Sequence, residues 1–135
     1  MNTDLGIDVD MSNIKYNVLR FDFSNPPMFD DSCNYHFVTK SDIGETEKIL
    51  RKAFDDHNKT AKRHVDHEDY GRQYIGAKAP NGDILIYVNC FVEPARHEVK
   101  WLVRVRVHDG WDGYFEGMFN LTTGEIIYFG HHGSA

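Results

Sequence analysis

Cysteine, proline and long apolar runs are all scarce in this chain, and the shortages remove whole classes of protein. Cys33 and Cys90 are the only two thiols in 135 residues, and they stand far apart. A chain of that length buries about two-thirds of its unfolded surface. It therefore has no need of the disulfide framework of a small secreted scaffold, and the two cysteines read as reduced thiols. Nowhere does an apolar stretch approach the roughly 18 residues that span a bilayer. The opening MNTDLGIDVDMSNIKYNVLR carries acids early and has no apolar centre of the kind a secretory leader needs. Cytoplasmic location and no membrane contact are the resulting expectations. Basic residues are outnumbered, 15 Lys and Arg against 21 Asp and Glu, for a net charge of −6. A sequence-independent grip on nucleic acid needs a basic face, so no nucleic acid is expected as a partner. A basic protein partner, or simple solubility, fits the charge better.

What is present is a packed globule's share of apolar residues, 41%, too high for a disordered chain. Residues 1–12 are polar and acidic and read as a flexible lead-in to a single domain over 13–135. The run NIKYNVLRFDF predicts a strand over 13–23, with Leu19, Phe21 and Phe23 on one face, and Pro26-Pro27 ends it. A short extended piece follows at 35–39.

A helix is predicted from about Ser41 to Asn58, capped by Ser41 or Thr39, with Asp42, Glu45 and Glu47 where the helix dipole favours acid. Thr46, Ile49, Leu50, Ala53, Phe54 and His57 form its apolar stripe, and Glu47, Lys48, Arg51, Lys52 and Asp55 its wet face. Residues 59–70 read as a polar loop.

Strands then follow one another: Arg72–Ala79, 84–92, 99–107, Tyr114–Leu121 and Glu125–Phe129. Pro80-Asn81-Gly82-Asp83 and Thr122-Thr123-Gly124 are turn signals between them. Such short turns force antiparallel neighbours. The expected fold is α+β, one main helix packed on a four- to six-stranded antiparallel sheet. Ile49, Leu50 and Phe54 should bury against Trp101, Val103 and Val105, and the inward positions are nearly all aliphatic.

A helix followed by an antiparallel meander resembles the cystatin-like architecture of cystatins, PepSY modules, beta-lactamase-inhibitor-like domains and the broader NTF2-like group. The segment YFEGMFNLTTGEIIYF, residues 114–129, resembles the closing hairpin of PepSY-type modules. YGRQYIGAKAPNGDILIYVNCF, together with FNLTTGEI, is similar to small uncharacterised bacterial proteins, chiefly of Bacteroidetes type. No activity comes with these resemblances. The Gln-Val-Val-Ala-Gly-type hairpin of cystatins is absent, so cysteine-protease inhibition is not carried over.

Two places draw attention for chemistry. His64-Val65-Asp66-His67-Glu68-Asp69 is ligand-rich, and His64, His67 and Asp66 are its candidate metal ligands. The competing reading is a solvated polar loop. Asp109-Gly110-Trp111-Asp112-Gly113 sets a tryptophan at a hairpin tip. Exposed aromatics of that kind are enriched at binding hot spots, so Trp111, Tyr114, Asp109 and Asp112 are the candidate partner-binding residues. Catalysis finds little support: Cys90 lies on an aliphatic strand face, and there is no G-x-S-x-G, H-E-x-x-H, P-loop or dinucleotide fingerprint. No cofactor is expected. The composition favours a non-enzymatic protein-binding module, immunity- or inhibitor-like, for a basic partner. The alternative is an NTF2-like protein with a small-molecule pocket between helix and sheet.

Overall fold

The computed structural model describes residues 7, 9–20, 29–92 and 114–131. The strand expected over 99–107 and the Asp109–Gly113 turn lie outside the described residues. The elements are β1 (Tyr16–Leu19), β2 (Asn34–His36), α1 (Lys40–Thr60), a 3-10 turn (His67–Asp69), β3 (Tyr70–Lys78), β4 (Ile84–Val92), β5 (Tyr114–Asn120) and β6 (Glu125–His131).

Helix α1 begins where the cap chemistry sets it. The Thr39 hydroxyl accepts from the Asp42 amide at 3.1 Å, and the Asp42 carboxylate accepts in return from the Thr39 amide at 3.0 Å. This reciprocal box satisfies two amide donors that the first turn would leave open. His36 Nε2 lies 2.7 Å from the same carboxylate and ties β2 to the helix start. At the other end Asn58 clamps Val65, donating to its carbonyl at 2.8 Å and accepting from its amide at 2.9 Å. The segment expected to be a loop is therefore held to the helix, and its last residues wind into the 3-10 turn.

The sheet runs β1-β3-β4-β5-β6, with β2 also paired to β3. From β3 onward the neighbours are antiparallel, as the short turns require for β3–β4 and β5–β6. Gly82 and Gly124 occupy their turns at φ +95° and +80°, where a side chain would be strained. β1 departs from expectation. It runs parallel to β3, Tyr16 to Leu19 opposite Arg72 to Ile75, so the sheet is mixed and not purely antiparallel. The connection from β1 to β3 contains α1, which is ample for a parallel crossover. β2 continues antiparallel along the rest of β3, from Gly76 to Lys78. Gly76 is obligatory there, because a Cβ would come within 2.6 Å of the His36 carbonyl oxygen.

Both faces of the sheet are covered. On the helix side Leu50, Phe54, Tyr74, Ile86, Val88, Cys90, Phe115 and Phe119 share one core. Leu19, Phe29, Cys33, Ile75, Ala77, Tyr87 and Met118 pack on the far side. That is why β3 is buried at eight successive positions, Tyr70 to Ala77, instead of alternating with water. Cys33 and Cys90 are free and buried on opposite faces. Among the described residues no helix is long and apolar enough to cross a membrane.

Candidate functional site

The largest departure from the sequence reading lies beneath α1. Glu47, expected on the wet face, is fully buried, and so is Arg72 on β3. The buried stripe of the helix is Ile43, Thr46, Glu47, Leu50, Ala53 and Phe54, while Ile49 sits on its flank, only partly buried. The inward face is thus not purely aliphatic: it encloses an ion pair.

Every donor and acceptor of that pair is occupied. Arg72 Nε donates to Glu47 Oε2 at 3.1 Å and Nη2 donates to Oε1 at 3.1 Å, a two-pronged contact. Nη1 donates to the carbonyls of His67, at 2.7 Å, and Tyr70, at 2.6 Å. Nη2 also meets His67 Nδ1 at 3.0 Å. Those contacts use all five guanidinium hydrogens. Glu47 receives two more bonds, from Arg51 Nε at 2.9 Å and from the Tyr74 hydroxyl at 2.5 Å.

The electrostatics follow from this geometry. Burial alone would raise the Glu47 carboxyl, but Arg72, Tyr74 and Arg51 together hold it below its ordinary value, so it stays ionised. Burial works against the Arg72 charge as well, and the Glu47 carboxylate outweighs it, raising the guanidinium's pKa. Burial and the adjacent carboxylate push the Tyr74 hydroxyl well above 10.0. Burial pushes the nearby Cys90 thiol up to about 12, which leaves it without nucleophilic thiolate at neutral pH.

The surface near the other end of α1 is different. Ala53, Asp56, His57, Ile126 and Phe129 line an open groove of about 320 Å³ between the helix and β6. Beside it, Ile126, Ile127 and Tyr128 are exposed to 39, 46 and 42%. Among the described residues no strand pairs with the outer edge of β6. The register between β5 and β6 shifts at Met118/Phe119, which leaves Ile127 as an extra residue on the edge.

No family model, curated protein or solved structure matches the chain. The site is therefore read from its own atoms. Of the candidate metal ligands, His64 is exposed, Asp66 uses its carboxylate to cap the 3-10 turn through the Glu68 amide at 3.0 Å, and His67 turns Nδ1 to Arg72. Among the described residues no three His, Cys, Asp or Glu side chains gather as a metal site would. Of the candidate contact residues, Tyr114 opens β5 and is buried. Trp111, Asp109 and Asp112 lie outside the described residues.

Sequence reasoning missed Glu47 and Arg72. A signal for them existed. Ile43, Glu47, Leu50 and Phe54 fall at i, i+4, i+7 and i+11, which places an acid in line with the most buried apolar positions. Arg72 likewise alternates with Tyr70 and Tyr74 on the strand face that packs against the helix.

Proposed function

We propose that the chain is a non-enzymatic binding module for another protein, engaged through the face formed by β6 and the C-terminal half of α1. One observation carries this reading: large apolar side chains stand exposed along the outermost described strand, Ile126 on the helix face where it lines the groove, Ile127 at the bulge and Tyr128 on the opposite face. Large apolar side chains left exposed along both faces of one outer strand mark that edge as a contact site. The bulge at Ile127 interrupts the regular row that a further strand would need, so a partner is met by side chains more than by extension of the sheet.

Charge gives the partner its chemistry. The chain carries a net charge of −6, and Asp56 on the groove wall and Glu125 beside Ile126 are both exposed. Asp56 is shared with Lys59 at 3.2 Å and Lys52 at 3.9 Å, exposed pairs that exchange at little cost. The occupant is a basic segment carrying an aromatic or aliphatic anchor, as an immunity or inhibitor-like role against a basic protein requires. The saturated Glu47–Arg72 cluster supports the non-enzymatic side of this reading, since it has no free donor or acceptor to offer a substrate.

Selection of a random 12-residue peptide library tests the reading, with Ile126→Ser/Ile127→Ser/Tyr128→Ser as the counter-target. Enriched peptides should pair a large apolar residue with Lys or Arg, and should bind the triple variant at least tenfold more weakly. Peptides that bind both proteins equally, or that carry acidic flanks, would overturn it.

A further inference from the structure

Among the described residues His67, like Arg51, links the buried charges to solvent. It is half-buried on the 3-10 turn. Its carbonyl accepts from Arg72 Nη1 at 2.7 Å and from the Tyr70 amide, and its ring Nδ1 faces Arg72 Nη2 at 3.0 Å. A guanidinium only donates, so Nδ1 must hold a lone pair and the ring proton must sit on Nε2. The turn is fastened on either side by Val65, which Asn58 clamps, and by buried Tyr70. Only four residues, Asp66 to Asp69, lie between these two anchors.

We propose that His67 is an acid-released latch: its neutral ring pins the Asp66–Asp69 turn over the buried Arg72 guanidinium, and protonation of the ring frees the turn. A proton added at Nδ1 would set one N–H donor against another. It would also bring a second positive charge to a guanidinium that Glu47 already neutralises. Among the described residues, the charged groups that influence the ring are Arg72 on β3, Arg51 and Glu47 on α1, and Glu68 on the turn itself. Burial, then Arg72 and Arg51, lower the ring's pKa below its ordinary 6.5, and Glu47 and Glu68 offset this only in part. The sign follows. The unfolded chain takes up this proton first as pH falls, so the latch is fully closed above about pH 6.5 and weakens progressively below it. Lifting the turn opens Arg72 to water. This device is independent of the β6 contact face.

Two measurements on the full chain test it. Ring-nitrogen NMR of wild-type protein at neutral pH should show His67 as a single tautomer with Nδ1 unprotonated. Amide exchange, corrected for intrinsic rate, should show protection at Asp69 and Tyr70 falling at least tenfold from pH 7 to pH 5. His67→Gln, which keeps an acceptor but does not titrate, should show no such fall, with β3 and β4 amides as the folding control. A protonated Nδ1 at neutral pH, or the same pH profile in wild type and variant, would overturn the proposal. So would ring protonation that leaves Asp69 and Tyr70 protected.

Discussion

Replacing Arg72 with methionine should lower the free energy of unfolding by about 3–5 kcal/mol, because it strands an ionised carboxylate in a dry interior. Glu47 would keep only Arg51 and the Tyr74 hydroxyl as partners, and the carbonyls of His67 and Tyr70 would lose their guanidinium donor. A domain of this size is stable by about 5–15 kcal/mol in total, so the variant should unfold at much lower urea. Removing the whole polar unit has a different cost. In Glu47→Leu/Arg72→Met/Tyr74→Phe the fully buried charges and the hydroxyl go together, Arg51 is left partly exposed where water can solvate it, and the apolar replacements fill a similar volume. Replacement of a buried ion pair by packed apolar residues is often neutral or stabilising. The triple variant should recover to within about 1–2 kcal/mol of wild type by that reasoning. Urea denaturation of the single and triple variants separates the two cases. Equal losses in both would mean that the cluster's net attraction, and not the stranded charge, dominates.

Phe54→Ala should cost about 3–5 kcal/mol as well, for an unrelated reason. The ring is buried, with centroids 5.0 Å from Phe129, 5.1 Å from Phe115 and 5.3 Å from Tyr70. Three aromatic neighbours on three strands cannot all move inward when it is removed, so a cavity remains and its walls lose their contacts. Ile49→Ala is the control, since that side chain lies at the flank of the core. Its loss should be well below that of Phe54, measured by the same denaturation. Equal losses would restore the helix phase that places Ile49 at the centre of the buried stripe.

That phase shows what the sequence made legible. The helix, its Thr39 cap, the turns at Gly82 and Gly124, and the ladder from β3 to β4 all follow from local chemistry that neighbouring residues determine. β1 pairing parallel to β3 does not, because nothing in NIKYNVLRFDF records which strand it will meet after an intervening helix. The burial of Glu47 was hidden by Arg51 at i+4. An acid–base pair in that order reads as a solvated one, and here the same arginine does bind Glu47, at 2.9 Å, while the carboxylate itself points inward to β3. One amphipathic helix can cover only one face of a sheet, and no second periodic element in the described sequence marks a cover for the other. The short segment carrying Phe29 and Cys33 supplies a second cover without a period that marks it. The exposed β6 strip was the reverse case: EIIYF looks like an ordinary core strand, and only its place at the end of the described ladder leaves it in water.

The closed ionic cluster is tested most directly by following the Glu47 carboxyl carbon by NMR as pH falls. Its proton should bind only below the ordinary carboxyl value of 4.5, because it must displace one of the four donors on the carboxylate and remove the negative charge that Arg72 faces. The stability it contributes should be complete above that pH and should be lost as pH falls through its depressed midpoint. A Glu47 that titrates at or above 4.5 would contradict the account, since its partners would then fail to outweigh its burial, and a midpoint displaced toward neutrality would make it a carboxyl poised as an enzyme's acid or base is.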